Sequence, residues 1–157
     1  MKKLLSLLLL LLSSHIYASS GVELQEADID LSDKMSLQRG AKHFVTYCLG
    51  CHSAKQPPDL SLIARSRGAD WLYSYLKGFY VDKSKPFGVN NIVFEDVSMP
   101  NPLWQLQGEQ TPVYVTHGEQ KTIEKLVNSG KGTQTAEEFD RTVNDLVIFL
   151  VYVGVPV

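Results

Sequence analysis

Apolar residues recur at helical spacing in two long stretches of the chain. The first stretch begins near Asp33, a favourable N-cap residue, and runs to about Cys48. Its predicted buried stripe consists of Leu37, Ala41, Phe44, Val45 and Cys48. The second stretch opens at a capping box between Thr135 and Glu138 and continues to about Val151. Its predicted core face consists of Phe139, Val143, Leu146, Val147, Leu150 and Val151.

Shorter segments lie between these two helices. The pattern predicts a short helix over 59–63, capped by its first residue, and a second over 68–78 that ends at a glycine. Prolines make residues 79–112 mainly loop. A further short helix is predicted over 117–128, and strand is limited to about 111–116. The sequence therefore predicts a mostly α fold.

The first 20 residues have the pattern of a secretory signal peptide. A basic start precedes an almost unbroken leucine run at 4–12, and small residues follow at 18–20. Cleavage is expected after Ala18 or after Ser20. An uncleaved signal anchor is the alternative, although the run is shorter than the roughly 20 residues that span a bilayer. We therefore expect a signal peptide at 1–20 and one exported domain at 21–157, in the oxidising periplasm.

Composition narrows the possible classes of function. The 157 residues are 44% hydrophobic and 20% charged, which fits one globular domain. A formal net charge of −2 argues against nucleic acid as a partner. The last apolar run, over 146–153, is too short to cross a bilayer, so no C-terminal membrane anchor is expected.

The candidate chemistry lies in one pentapeptide, which contains both cysteines of the chain. Cys48 and Cys51 are two residues apart and His52 follows at once, which is the attachment pattern of a c-type haem. The two thiols would add to the two vinyl groups of the porphyrin. The imidazole would then reach the iron as the proximal ligand. One covalent haem c is therefore predicted.

Three other uses of the cysteines compete with haem attachment. A thioredoxin-like redox pair has the same spacing, but no βαβ pattern surrounds it here. A zinc site would need a fourth ligand, and the sequence has no second Cys/His cluster. A disulfide between residues this close would add little stability.

The second axial ligand is predicted to be Met99. Two nearby prolines, Pro100 and Pro102, stiffen the segment around it, and a thioether favours Fe(II), which suits an electron carrier. The alternative use of Met99 is as an apolar core residue. His43 and His117 are weaker candidates, because a lone histidine is more often a surface or hydrogen-bonded residue.

Either Arg65 or Arg67 could bind a haem propionate with two hydrogen bonds, or the two could be an ordinary solvated pair. Seven aromatic residues lie within 71–94, ahead of Met99, and most of them are expected in the core. They are Trp71, Tyr73, Tyr75, Phe79, Tyr80, Phe87 and Phe94.

Beyond the pentapeptide, the chain resembles bacterial cytochrome c1, the haem subunit of ubiquinol–cytochrome c reductase. The resemblance is carried by residues 38–41, 47–54, 57–71, 88–91, 99–100, 103–108, 138–140 and 145–154. It implies a cytochrome c-like fold in which the N- and C-terminal helices cross near the haem, with Gly40 allowing close approach at Phe149. It also implies Cys48 and Cys51 as thioether anchors, His52 and Met99 as axial ligands, and Arg67 rather than Arg65 as the propionate partner.

The resemblance further implies a role and a set of partners. The chain would take one electron from the Rieske iron–sulfur protein and pass it to a soluble cytochrome c, with cytochrome b as a neighbour in the complex. It would be an electron-transfer subunit rather than a catalyst on its own.

Two departures from the family leave other roles open. Only Lys55 and Gln56 stand between Ala54, where the first block of resemblance ends, and the Pro-Pro-Asp-Leu block, whereas the family has a long segment there. Family members also continue past the last helix into a membrane anchor, which is not expected here. A fragment, a degenerate copy and a free periplasmic monohaem cytochrome are the alternatives that these departures leave. A haem-based sensor with an open axial site and a thiol–disulfide oxidoreductase are separate rival functions.

Overall fold

The structure is a computed structural model that describes residues 22–52 and 59–155. The predicted signal peptide and the Lys55–Gln56 link lie outside the described residues. The helices are α1 (Lys34–Tyr47), α2 (Ile63–Arg67), α3 (Ala69–Lys77), α4 (Trp104–Gln107) and α5 (Ala136–Val153). The strands are β1 (Phe79–Val81), β2 (Val89–Asn91), β3 (Gln110–His117) and β4 (Gln120–Asn128).

Capping side chains set where the two long helices start, as predicted. Asp33 accepts hydrogen bonds from the backbone N–H groups of Met35 and Ser36 at the start of α1. At the start of α5, Thr135 and Glu138 form the predicted capping box. Of the predicted core face of α5, every member is buried except Val151, which packs against the core half-buried.

The crossing of α1 and α5 holds the domain together. A Cβ atom on Gly40 would lie 2.0 Å from the carbonyl oxygen of Asp145 and 2.8 Å from Cβ of Phe149. Only glycine therefore fits at this contact, and the expected approach of α5 at Gly40 is confirmed. The buried face of α1 is consequently built on small residues, Ser36 and Gly40. Val45 was predicted on that face and is instead 60% exposed.

The prediction of a mostly α fold is wrong, because two antiparallel hairpins make the fold a mixture of helices and strands. In the first hairpin, β1 pairs with β2 from Phe79↔Asn91 to Val81↔Val89, inside the segment predicted as loop. In the second, β3 pairs with β4 from Gln110↔Asn128 to His117↔Gln120. The strand predicted at 111–116 is confirmed as part of β3.

The helix predicted over 117–128 is wrong, because most of this segment is β4. Val113 pairs with Lys125 and Tyr114 pairs with Ile123, so Glu124 is an extra residue on β4. Such a bulge shifts the alternation of side chains by one position. Ile123 and Leu126 are therefore the two half-buried residues of β4 despite their helix-like spacing of three.

The helix predicted over 59–63 also needs correction. Asp59 accepts hydrogen bonds from the N–H and hydroxyl groups of Ser61 and so caps a turn. The helix itself, α2, starts at Ile63. By contrast, α3 begins after Gly68 and ends before Gly78, as the sequence indicates.

An extended segment at the start of the described chain lies against α3 and α5. The backbone N–H of Gln25 donates to the hydroxyl of Ser74, and the N–H of Ala27 donates to the carboxylate of Asp70. Asn144 bonds both the N–H and the carbonyl of Asp28. Within the described part of the chain, no helix is both long and apolar enough to span a bilayer.

Candidate haem-attachment site

The predicted anchors lie at the C-terminal end of α1. The backbone N–H of Cys48 donates to the carbonyl of Phe44 at 2.9 Å and ends the helix. The N–H groups of Cys51 and His52 then both donate to the carbonyl of Cys48, at 3.1 and 2.9 Å. This turn places Cys51 and His52 about one helical turn beyond Cys48, so the three residues are brought together.

The two thiols have different surroundings. Cys48 is only 9% exposed and belongs to the apolar core, together with Leu72 and Leu103 and the inner face of α5. Cys51 is exposed. Burial, reinforced by the neighbouring Cys51, raises the pKa of the Cys48 thiol from 9.0 to about 11. One thiol therefore faces the core and the other faces solvent.

This environment disfavours the thioredoxin-like alternative. A redox nucleophile needs a lowered thiol pKa, which helix N-termini and nearby cations provide. Cys48 lies at a helix C-terminus, where the dipole is negative, and its pKa is raised. For the zinc alternative, no group of three or more metal-binding His, Cys, Asp or Glu side chains occurs within 22–52 and 59–155.

Met99 lies in a loop beside α3. Its side chain is half-buried, and the hydroxyl of Tyr75 donates a long hydrogen bond of 3.9 Å to its sulfur. Val97, two residues earlier, is buried. Two residues later, the side chain of Asn101 accepts from the N–H of Leu103 at 2.9 Å. The loop is thus fixed on both sides of the predicted ligand.

Four aromatic side chains form a continuous row next to Met99, which we call the aromatic row. Trp71 and Tyr75 stack with their ring centres 4.8 Å apart and their planes at 10°. Phe79 meets the edge of Tyr75 at 5.3 Å, and Phe94 meets Trp71 at 6.3 Å. Trp71 and Tyr75 also pack, half-buried, on the core cluster that contains Cys48. One apolar core therefore supports both the anchor turn and the surroundings of Met99.

Arg67, the predicted propionate partner, ends α2 beside the aromatic row. Its guanidinium carbon lies 4.9 Å from the centre of the Trp71 ring and 5.7 Å from that of Phe94. Arg65 lies instead near the C-terminal end of α5, where its Cγ would be 3.4 Å from a Cβ on Gly154. The structure therefore places Arg67, and not Arg65, with the residues around Met99.

The weaker histidine candidates lie on other elements. His43 is on α1, where it stacks on Tyr47 at 6.2 Å, and burial lowers its pKa. His117 is exposed and ends β3.

Sequence reasoning missed a buried polar cluster at the helix crossing. Asp145 on α5 is 4% exposed and accepts from Nε and Nη2 of Arg39 at 2.5 and 2.8 Å. The hydroxyl of Ser36 donates to the same carboxylate. The hydrogen bonds that Arg39 donates to Asp145 raise the pKa of the Arg39 guanidinium. They join residues more than 100 positions apart, so no local pattern could have indicated them.

The residues present suit a covalent haem. Two thiols one turn apart, with an imidazole directly after them, are the donors that attachment and proximal ligation require. The buried position of Cys48 would hold an apolar macrocycle against the core. A half-buried thioether on a fixed loop, that of Met99, would supply the soft donor for a second axial position.

Comparison with known proteins gives two relatives. No family model matches the chain. It is 40% identical to the ammonia monooxygenase gamma subunit of Nitrosomonas europaea over 199 aligned positions, which cover 96% of this chain and 82% of that protein. It is 36% identical to cytochrome c1 of Allochromatium vinosum over 207 positions, which cover 99% of this chain and 85% of the relative. Since this chain has 157 residues, at least 50 of those 207 positions are gaps in it.

The anchor turn and these relatives together define a c-type cytochrome, a class of electron-transfer protein with covalently attached haem. Both alignments run over nearly the whole chain and are well above 30% identity. The chain belongs to the cytochrome c1 family.

Proposed function

We propose that this protein is an exported monohaem cytochrome of the c1 type, with residues 21–157 as its haem domain. Cys48 and Cys51 are the thioether anchors, His52 and Met99 are the axial ligands, and Arg67 pairs with a propionate. The haem supplies a reversible one-electron centre when it is attached. The observation that carries this proposal is the turn at the end of α1, which brings both thiols and the imidazole together with Cys48 in the core.

In this proposal the chain's own residues hold and insulate the redox centre. The apolar core around Cys48 would exclude water from one side of the haem, and the aromatic row covers the region of Met99. The guanidinium of Arg67, held over Trp71, is a cation that a propionate can pair with. A thioether ligand in apolar surroundings favours Fe(II) and so gives a higher reduction potential.

The partners in this proposal are the Rieske iron–sulfur protein as donor, cytochrome b as a neighbour and a soluble cytochrome c as acceptor, on the periplasmic side of the membrane. The surface supports a basic acceptor. Five acidic side chains of the first described segment are exposed, namely Glu23, Glu26, Asp28, Asp30 and Asp33. Such a surface attracts a basic partner at low salt. The rate of electron transfer should therefore fall as ionic strength rises, and a rate independent of salt would contradict this steering.

The first experiment is expression with a haem-attachment system, followed by mass measurement and visible spectroscopy. We expect one haem per chain, and substitution of Cys48 and Cys51 by serine should abolish attachment. Met99→Ala should remove the weak long-wavelength sulfur–iron band of the oxidised protein and lower its reduction potential. Met35→Ala is the matched control, because Met35 lies on α1 and is 61% exposed. A colourless protein of unmodified mass would refute the proposal.

A second candidate is an electron carrier outside ubiquinol–cytochrome c reductase. It is favoured by the many alignment gaps in this chain and by the relative named as an ammonia monooxygenase subunit. Purification of the tagged chain from the membranes of its native organism distinguishes a reductase subunit from a carrier outside the complex. Recovery with the Rieske protein and cytochrome b supports the reductase, whereas recovery without them supports the second candidate.

A further inference from the structure

The loop that carries Met99 makes a left-handed turn at Asp96. This residue has a φ of 60°, which is uncommon for a residue with a Cβ atom, and it lies three positions before Met99. Its backbone N–H donates at 2.9 Å to the side-chain oxygen of Asn90. We propose that Asn90 is a positioning residue, whose amide holds this turn and thereby keeps the thioether of Met99 in place as a ligand. The inference rests on the proposed function, since it requires Met99 to be an axial ligand.

The side chain of Asn90 is buried and has one defined orientation. It is 3% exposed and belongs to β2, where Asn90 pairs with Tyr80 of β1. Its amide oxygen also accepts from the N–H of Asn91 at 2.9 Å. Its amide nitrogen donates to the carboxylate of Asp82 at 3.4 Å. The hydroxyl of Ser84 is the main cause that lowers the pKa of Asp82, so this carboxylate is ionised and only accepts. The amide oxygen of Asn90 must therefore face the loop.

The neighbouring Asn91 fixes the start of the same loop. It is 1% exposed, and its side-chain oxygen accepts from the N–H groups of Val93 and Phe94 at 2.9 and 3.2 Å. Its amide nitrogen donates to the backbone carbonyl of Tyr75, on α3, at 2.8 Å. The loop therefore starts from a point that is tied to α3, and the turn that follows it decides where the loop goes next.

The turn controls Met99 through the direction of the backbone. Val97, directly after Asp96, is buried, so the chain leaves the turn toward the core. A positive φ at a residue with a Cβ atom persists only where its surroundings hold it. Without the bond to Asn90, Asp96 relaxes toward a negative φ, and the chain after it changes direction. Met99 is then released from its ligand position in a larger fraction of the molecules.

The test is Asn90→Ala in the haem-loaded protein, with imidazole as a competitor for the position of Met99. Loss of the sulfur–iron band measures imidazole binding, and the apparent affinity is proportional to the fraction of molecules in which Met99 is released. We expect Asn90→Ala to raise this affinity by about tenfold, the effect of losing one or two hydrogen bonds. Asn144→Ala is the matched control, because the Asn144 amide also bonds backbone groups, those of Asp28, but lies on α5. It should leave the affinity unchanged.

A second pair of variants tests the turn without touching the core. The side chain of Asp96 is 71% exposed, and Asp96→Val and Asp96→Gly both remove its ion pair with Lys85. Valine strongly disfavours a positive φ, whereas glycine adopts it freely. Asp96→Val should therefore bind imidazole several-fold more tightly than Asp96→Gly.

Two results would overturn the inference. One is an equal imidazole affinity in the two Asp96 variants, and the other is an affinity in Asn90→Ala no higher than in Asn144→Ala. Far-UV circular dichroism of each variant checks folding, and the Asp96 pair decides alone if Asn90→Ala does not fold. Failure of the proposed function differs from both results, because the natural chain then carries no haem or lacks the sulfur–iron band before imidazole is added.

Discussion

Replacing Gly40 by alanine is the most direct test of the helix crossing on which the domain depends. The added Cβ would lie 2.0 Å from the carbonyl oxygen of Asp145, whereas ordinary contact begins at 3.4 Å. Neither atom is at the end of a flexible side chain. The added Cβ is attached directly to the backbone of α1, and the carbonyl oxygen is part of the backbone of α5. The two helices must therefore move apart locally by about 1.4 Å, the difference between these distances.

Two opposing effects decide the magnitude. Alanine favours a helix over glycine by about 1 kcal/mol. Overpacking of this kind costs about 1–3 kcal/mol and sometimes more. Separation also strains the hydrogen bonds from Ser36 and Arg39 to Asp145, each worth about 1 kcal/mol. We expect the free energy of unfolding to fall by about 2–3 kcal/mol.

Urea unfolding of the matured protein, followed by tryptophan fluorescence and circular dichroism, measures this loss. Gln38→Ala is the control, since Gln38 is an exposed residue on the same helix and should change stability by less than about 0.5 kcal/mol. If Gly40→Ala proved as stable as the natural chain, helix propensity would outweigh contact and the close crossing would be wrong.

Three further predictions concern the core and its surroundings. Burial raises the pKa of the Cys48 thiol from 9.0 to about 11, so the folded chain keeps this thiol protonated at pH values where the unfolded chain loses the proton. The contribution of Cys48 to the free energy of unfolding is therefore complete below pH 9 and is lost as pH rises through 11. The haem-free chain should lose on the order of 2–3 kcal/mol over that window, and urea titrations should show a smaller loss for Cys48→Ala. Asp145→Asn should lower the free energy of unfolding by about 1–3 kcal/mol, since it weakens the hydrogen bonds from the half-exposed Arg39. If the losses of Asp145→Asn and Arg39→Gln simply added up in the double variant, the pairing of these two side chains would be refuted. A Cβ on Gly132 would lie 2.1 Å from the carbonyl of Leu106, so Gly132→Ala should lower the melting temperature, and an unchanged melting curve would contradict that contact.

Features set by neighbouring residues could be read from the sequence. The ends of α1 and α5 follow from the side chains of Asp33 and Thr135, which bond backbone groups within three residues. The anchor turn is equally local, because Cys48, Cys51 and His52 lie within five positions.

Features set by distant contacts could not be read in this way. The buried face of α1 is determined by the approach of α5 at Gly40, so the apolar Val45 remains outside it. β4 resembles a helix in sequence because the extra residue Glu124 changes the alternation of its side chains. Tyr75 could not be singled out among seven aromatic residues, since its contact with Met99 exists only in the folded chain.

If haem is attached at Cys48 as proposed, the burial of this thiol sets an order of events in the biogenesis of the protein. A porphyrin is far too large to reach a thiol that is 9% exposed behind a closed helical interface. In the proposed function, attachment would therefore precede the docking of α5 onto α1, and the haem-ligation machinery would meet a chain that has not yet folded. Sequence changes that speed early closure of this interface would lower the yield of coloured protein even where they stabilise the final structure.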